Sequence, residues 1–167
     1  MDNFFEMQIQ SASTQVLETV YIISTSKNID TIKSRYEFLL QRISDLRQNQ
    51  SNPTYSEFVR LAIEYYKVMY KIETLNEYQF AILSDPNGFD LNNFYCTSLG
   101  NAMKRFCSEQ TDEISAMKRE TAKAKRSLKV LELIKSTKDE LQTKCSSASS
   151  YSTVLIELES LEKSFNH

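Results

Sequence analysis

The chain has 167 residues, only two glycines and two prolines, and 41% hydrophobic residues. Because so few residues can break or sharply turn the backbone, this composition favours a few long helices packed as one domain with its own core. The 20 Lys and Arg residues nearly balance the 22 Asp and Glu residues, which argues against a dedicated nucleic-acid-binding protein.

The first predicted helix covers residues 3–24. Asn3 and Glu6 have the spacing of a capping box, and apolar residues then recur every three or four positions on one face. The segment 24–28 shifts this apolar phase, because continuing it would place Lys27 in the core. The sequence therefore predicts a turn or a kink here and leaves open whether the first two helices are continuous.

The second predicted helix covers residues 28–48 and carries the cleanest heptad pattern of the chain. Its apolar residues lie at strict a and d positions, the pattern by which two helices pack along a seam. The partner of this seam is either another helix of the same chain or a helix of a second protein. The predicted protein-interaction residues are Ile29, Ile32, Tyr36, Leu39, Ile43 and Leu46.

The third predicted helix covers residues 54–84, with Thr54 and Glu57 as a capping box at its start and a tight turn at 85–88 after its end. It carries two apolar stripes and so should have two neighbours, which would make it the most buried helix. The main stripe is Phe58, Leu61, Tyr65, Val68, Ile72, Leu75 and Ile82, and the second is Val59, Ala62, Tyr66 and Met69.

The fourth predicted helix, residues 90–144, is the longest, with Gly100 and the Ser136-Thr137 pair as its candidate weak points. A serine-rich reversal then leads into a fifth predicted helix at 150–165. A narrow, mostly small or apolar stripe indicates a packing seam on the fourth helix. That stripe is Cys107, Gln110, Ile114, Met117, Thr121, Ala124, Leu128 and Leu131.

A basic segment lies in the second half of the fourth predicted helix. In a heptad register its cations occupy b, c, e and f positions, so they surround the water-facing side. They are Lys118, Arg119, Lys123, Lys125, Arg126 and Lys129. One interpretation is an ordinary solvated face, neutralised in part by Glu157, Glu159 and Glu162 of the last helix. The alternative is attraction to anionic lipid headgroups or to another anionic polymer.

This layout of long helices with basic flanks resembles the dimeric BAR-type modules that curve membranes. The resemblance rests on helix length alone. It implies a dimer in which the cations of residues 118–129 line the membrane-facing surface.

Residues for catalysis or cofactor binding are scarce. His167 is the only histidine and the last residue, and no glycine-rich phosphate loop occurs. Cys96, Cys107 and Cys145 are odd in number and lack a CxxC spacing, which indicates reduced thiols rather than a disulfide framework or a metal site. We therefore expect no enzyme activity, no catalytic residue, no cofactor, no metal and no small-molecule substrate.

The sequence thus predicts an all-α protein. The expected architecture is a single elongated domain over residues 1–167, an antiparallel bundle of about five helices with coiled-coil-like packing. No apolar run approaches the roughly 18 residues of a membrane span, and no secretory signal is recognisable, so the expected location is the cytoplasm or the nucleus. The predicted function is a non-enzymatic protein-interaction module, an adaptor or assembly subunit; peripheral binding to a membrane or anionic polymer is the alternative. Oligomeric state stays open.

Overall fold

The computed structural model describes the backbone of residues 2–166 and the side chains of residues 4–166. Every regular element in this part of the chain is an α-helix, which confirms the predicted all-α class. Seven helices replace the five predicted ones. They are α1 Asp2–Thr25, α2 Ile29–Asn49, α3 Tyr55–Tyr70, α4 Glu77–Ser84, α5 Leu91–Ala116, α6 Glu120–Lys144 and α7 Tyr151–Phe165. The predicted Asn3 capping box depends on a side chain outside the described ones.

Packing divides the chain into two compact units. Unit 1 consists of Met1–Ser24 and Lys33–Phe89, and unit 2 consists of Thr25–Ile32 and Asp90–His167. Unit 1 therefore holds α1 except Thr25, most of α2, and all of α3 and α4. Unit 2 holds the first turn of α2 with α5, α6 and α7. The single elongated domain expected from the sequence stays a prediction.

The phase shift after α1 marks the end of a helix. The Asn28 side chain caps α2, because its Oδ1 atom accepts a hydrogen bond of 3.1 Å from the backbone N–H of Thr31. The Ser26 hydroxyl oxygen in turn accepts one of 3.1 Å from the backbone N–H of Asn28. The first two predicted helices are therefore separate.

The predicted helix 54–84 is wrong, because it consists of α3 and α4. α3 stops at Tyr70, and Lys71 takes the left-handed conformation, with φ 54° and ψ 42°. Asn76 then starts α4 with a capping box, accepting a 2.9 Å bond from the backbone of Gln79 and donating its own N–H to the Gln79 side chain at 3.0 Å. The predicted capping box at Thr54 is not formed, since the Thr54 side chain makes no cap bond.

The predicted helix 90–144 is also wrong, because it is broken between α5 and α6. Residues 117–119 leave the helical conformation, with Met117 and Arg119 in extended backbone. A continuous helix would separate residues 113 and 126 by roughly 20 Å. Instead, Arg126 lies 2.7 Å from Glu113. α6 therefore folds back along α5.

Neither predicted weak point interrupts its helix. The Thr137 side chain is buried and donates a 2.8 Å bond to the Leu133 carbonyl, so it stays within α6. Gly100 lies inside α5 at the point where α7 passes close to that helix. A Cβ atom at Gly100 would be only 2.9 Å from Cγ1 of Val154. The glycine therefore permits helix packing rather than a bend.

Unit 2 is a bundle of three mutually packed helices, α5, α6 and α7. Tyr95 donates a 2.8 Å hydrogen bond to Glu140, and together with the Glu113–Arg126 pair this contact makes α5 and α6 antiparallel. Its core includes the fully buried side chains of Tyr95, Leu99, Met103, Ile134 and Leu158.

Unit 1 buries one face of each of its helices. Its fully buried side chains include Ile9, Leu17, Ile23, Leu39, Ile43, Leu46 and Ile82. Polar bonds between distant parts of the chain supplement this core, for example a 2.8 Å bond from the Gln79 side chain to the Leu17 carbonyl. The buried Gln79 therefore joins α4 to α1.

Candidate functional site

All six residues of the heptad seam on α2 are buried within this chain. Four of them, Tyr36, Leu39, Ile43 and Leu46, belong to unit 1, and the remaining two, Ile29 and Ile32, belong to unit 2. A seam that is already covered has little apolar area left to offer another molecule. Direct contact of these residues with a second protein stays a prediction.

α3 packs through the stripe that the sequence ranks second. Val59, Ala62 and Tyr66 are buried together with Tyr55. The Tyr55 hydroxyl donates a 2.9 Å hydrogen bond to the Leu83 carbonyl, and Gln79 reaches the Tyr66 hydroxyl at 3.3 Å. These contacts with α4 fix which face of α3 points inward.

The main stripe of α3 consequently faces outward, and the expectation that this helix is the most buried is wrong. Tyr65 is 55% exposed and Val68 79% exposed, and the neighbouring Met69 is 53% exposed. Phe58, Leu61 and Ile72 are half-buried. We call Phe58, Leu61, Tyr65, Val68 and Ile72 the outer stripe.

The outer stripe keeps the spacing of a helix-packing seam. Its members are separated by three, four, three and four residues, which is the spacing of a and d positions; the first four lie on α3, and Ile72 lies just past its end. Such spacing aligns side chains along one side of a helix, where a second helix can lie almost parallel to it. Among the described residues, no helix lies over the exposed part of this seam.

Charged residues line one flank of the outer stripe. Glu57 and Glu64 each precede a stripe residue by one position and so occupy successive g positions, and the exposed Lys71 follows the last residue of the helix. Glu64 is neutralised by Arg60 at 2.9 Å. Glu57 and Lys71 make no ion pair within residues 4–166. The flank is therefore acidic where α3 begins and basic just after it ends.

A cleft of about 310 Å³ lies between α3 and α4. Two of its polar groups are engaged, since the Tyr55 hydroxyl bonds to Leu83 and the Arg60 guanidinium to Glu64. Burial, with a smaller contribution from Asp85, raises the pKa of Tyr55 to about 12, so this hydroxyl stays protonated at neutral pH. The cleft therefore presents the exposed apolar side chain of Phe80 rather than a reactive group.

The basic residues lie on α6 and in the turn before it, and they differ in their partners. Arg126 pairs with Glu113 at 2.7 Å, and Lys123 lies 3.6 Å from Glu120. The other four make no ion pair within residues 4–166. These four unpaired cations are Lys118, Arg119, Lys125 and Lys129, and all four are exposed.

The last helix does not neutralise these cations as expected from the sequence. Glu157 pairs with Lys104 and Glu162 with Lys138, each at 3.2 Å. α5 and α6 have 26 and 25 residues, so the single long helix on which the likeness to BAR-type modules rested is absent.

The three cysteines are buried free thiols in unit 2. Burial raises the pKa of Cys107 to about 11 and that of Cys145 to about 12, with the neighbouring Cys96 as a further cause at Cys145. The thiols of Cys107 and Cys145 are therefore protonated at neutral pH and poor nucleophiles. The sequence did not indicate that Cys96 and Cys145 would be neighbours, because 49 positions separate them.

Comparison of the chain with protein-family profiles, with curated protein sequences and with solved structures found no significant match. Within residues 2–166, no helix has both the length and the apolar character needed to cross a membrane. His167 lies outside the described residues. The exposed surfaces of the two units are therefore the basis on which a function can be proposed.

Proposed function

We propose that this protein is a helical interaction module that binds a helix of another polypeptide along the outer stripe of α3. The packing between the two helices is coiled-coil-like. The observation that carries this proposal is an exposed apolar stripe with heptad spacing on a helix whose adjacent face already forms the core. We assign the protein no enzymatic role and place it in the cytoplasm or the nucleus as an adaptor or assembly subunit.

The apolar side chains of the outer stripe are aligned as well as exposed. Single apolar side chains scattered over a surface are normal, whereas contiguous apolar patches mark interaction sites. Tyr65, Val68 and Met69 are contiguous on α3, and all three are more than half exposed. Removing apolar surface from water contributes about 25 cal/mol per Å², so covering this stripe with a second helix is favourable.

Binding of a designed helix tests the proposal. The probe is a fluorescent amphipathic peptide of about 21 residues with leucine at every a and d position and lysine on its flanks. Fluorescence anisotropy measures its dissociation constant for the wild-type chain and for Val68→Asp. We expect Val68→Asp to weaken binding by about tenfold or more, because a carboxylate would be buried against the leucines.

A matched control separates this surface from general stickiness. Ile156 on α7 is 67% exposed and lies in the other unit, so Ile156→Asp removes a comparable exposed apolar side chain. We expect it to leave the peptide affinity unchanged. Equal affinity of the wild type and Val68→Asp, or equal losses in both variants, would contradict the proposed function.

A second candidate function is binding to an anionic surface through the four unpaired cations of unit 2. The observation that favours it is the lack of ion-pair partners for Lys118, Arg119, Lys125 and Lys129, together with Leu128, which is 57% exposed beside them. Cations near an anionic lipid surface contribute about 1 kcal/mol each. An exposed apolar side chain among them suits a headgroup region.

Vesicle flotation tests this candidate. We expect the wild-type chain to float with vesicles that contain phosphatidylserine and not with purely zwitterionic vesicles, and to dissociate as salt is raised. The Lys125→Glu/Lys129→Glu double variant should lose this binding, whereas Lys163→Glu on α7 should retain it. Flotation that does not depend on the anionic lipid, or that survives the double reversal, would exclude this function.

A further inference from the structure

We infer that the outer stripe of α3 pairs with the same stripe of a second copy of this chain, with the two α3 helices antiparallel. This inference rests on the proposed function, because it assigns the occupant of the surface proposed there. Two features of α3 point to it: the order of charges along its flank and the register of its apolar residues.

The flank charges are complementary to themselves when the helix is reversed. Glu57 stands at the start of the flank, the neutralised Arg60–Glu64 pair in the middle, and Lys71 just past the end. An antiparallel arrangement brings the start of one helix to the end of the other. Glu57 of each copy then lies near Lys71 of the other copy, which gives two equivalent ion pairs.

A parallel pair of α3 helices would lack this compensation. In a parallel pair each g position lies across from an e position of the other helix, and the e positions here are Ala62 and Met69, so the flank charges would meet no ion-pair partner. Flank charges that find partners in only one arrangement favour that arrangement and thereby set orientation. The charge order therefore selects the antiparallel pair over the parallel one.

The apolar residues fit the same arrangement. Centring the antiparallel pair near residue 63 places Phe58 opposite Val68 of the second copy and Leu61 opposite Tyr65 of the second copy. Each contact occurs twice because a twofold interface repeats every pair. Each layer joins one half-buried residue to one exposed residue, so the side chains that protrude most meet those that protrude least.

The expected association is weak. α3 has 16 residues, which makes it about 24 Å long at 1.5 Å per residue. One helix face of this length falls short of the roughly 800 Å² that each partner contributes to a standard stable interface. We therefore expect a monomer at low micromolar concentration and a dimer that becomes populated as the concentration rises.

Sedimentation equilibrium with a charge swap tests the inference. Glu57→Lys places lysine near Lys71 of the second copy, and Lys71→Glu places glutamate near Glu57. Each single variant should raise the dimer dissociation constant about 3- to 10-fold, since two surface ion pairs are lost and replaced by like charges. The double variant Glu57→Lys/Lys71→Glu restores both pairs with reversed sign, and its dissociation constant should return to within about twofold of wild type.

Two controls keep the outcome interpretable. Glu159→Lys reverses an exposed charge on α7 and should leave association unchanged. The swap also opposes the helix dipole of α3, so circular dichroism must show that the double variant keeps its helix content. Restoration of dimerisation despite this unfavourable dipole would be specific to the pairing.

The result that overturns the inference differs from the result that overturns the proposed function. A chain that stays monomeric at all concentrations, or a double variant that fails to restore the dimer, excludes the antiparallel self-pairing. If the designed peptide still binds the wild type and not Val68→Asp, the stripe remains a helix-binding surface for a different partner. If the peptide binds both equally, the proposed function fails as well.

Discussion

Units 1 and 2 use similar helices, yet they leave different chemistry on their surfaces. Unit 2 covers the apolar faces of its three helices well enough that its main unpaired feature is cationic, at Lys118, Arg119, Lys125 and Lys129. Unit 1 instead leaves the outer stripe of α3 uncovered while it buries the stripe beside it. The side chains that unit 1 leaves without a partner at its surface are therefore mainly apolar, and those of unit 2 are mainly charged.

This difference indicates that polar anchors, by which we mean buried side chains that hydrogen-bond between helices, can determine which of two apolar stripes is buried. The bonds from Tyr55 to Leu83 and from Gln79 to Tyr66 belong to the inner face of α3, and Gln79 is itself bonded to Leu17 of α1. Buried polar groups need partners, so the face that supplies them becomes the inner one. In unit 2 the contact between α5 and α7 at Gly100 and Val154 does not depend on a choice between two apolar stripes.

The largest expected effect compares the two stripes of α3 directly. Ala62 is buried and Val68 is exposed on the same helix. Ala62→Asp should destabilise unit 1 by about 3 kcal/mol or more, because it buries a carboxylate without a partner. Val68→Asp should stay within about 0.5 kcal/mol of wild type, because its charge remains in water. Urea unfolding followed by circular dichroism measures both, and similar losses would mean that the inward face is misassigned.

The next effect tests the polar anchor of unit 1. Gln79→Leu removes the bonds to Leu17 and Tyr66 and half of the capping box with Asn76. We expect a loss of about 2 kcal/mol in the free energy of unfolding. Gln142→Leu, at an exposed position of α6, is the control and should have little effect. A neutral Gln79→Leu would show that the anchor does not select the inner stripe.

A smaller effect tests the close helix packing of unit 2. Alanine is intrinsically about 1 kcal/mol better than glycine within a helix, yet its Cβ at position 100 would crowd Val154. Gly100→Ala should therefore destabilise the protein by about 1 kcal/mol, since overpacking costs about 1 to 3 kcal/mol. In a Val154→Ala background the same change should be neutral or stabilising. A stabilising Gly100→Ala in the wild-type background would show that α5 and α7 do not meet there.

The smallest effect is a difference in alkaline stability between the units. Cys107 and Cys145 have pKa values of about 11 and 12 in the folded chain, against an ordinary value of 9.0, and Tyr55 about 12 against 10.0. Above each ordinary pKa the unfolded chain releases the proton and the folded chain keeps it, so stability falls as pH rises. The loss should begin near pH 9 in unit 2 and near pH 10 in unit 1. Thiol reactivity follows unit 2, which holds all three cysteines, and the part of the tyrosinate absorbance that is lost in Tyr55→Phe follows unit 1. Simultaneous onset would contradict the assignment.

Much of the secondary structure could be predicted from the sequence, because it depends on composition and local periodicity. The scarcity of glycine and proline predicts helices, and the a and d pattern of α2 predicts side chains that are all buried. The break at 117–119 has no glycine or proline to signal it. The structure shows it in the extended backbone of Met117 and Arg119 and in the return of Arg126 to Glu113.

The candidate site shows the other limit of sequence reasoning. The residues of the outer stripe are recognisable by their spacing, but the sequence ranks them as core. Asn76 and Gln79 have the spacing of a capping box, which marks the start of α4 and therefore the end of α3 before it. The apolar pattern continues across this position, so the sequence predicts one helix. The small Ala62 and the hydroxyls of Tyr55 and Tyr66 favour the other face, although only tertiary partners make that preference decisive.

The most direct test of the central claim is thiol labelling of α3. All three native cysteines are buried, so an introduced cysteine is the main reactive thiol in the folded chain. We predict that Val68→Cys reacts with a maleimide in dilute solution at nearly the rate of a free thiol and that it becomes protected when a second helix covers the outer stripe. Val59→Cys, on the buried face of α3, should stay protected throughout. Slow labelling of Val68→Cys in dilute solution, or rapid labelling of Val59→Cys in a folded chain, would contradict the proposed orientation of α3.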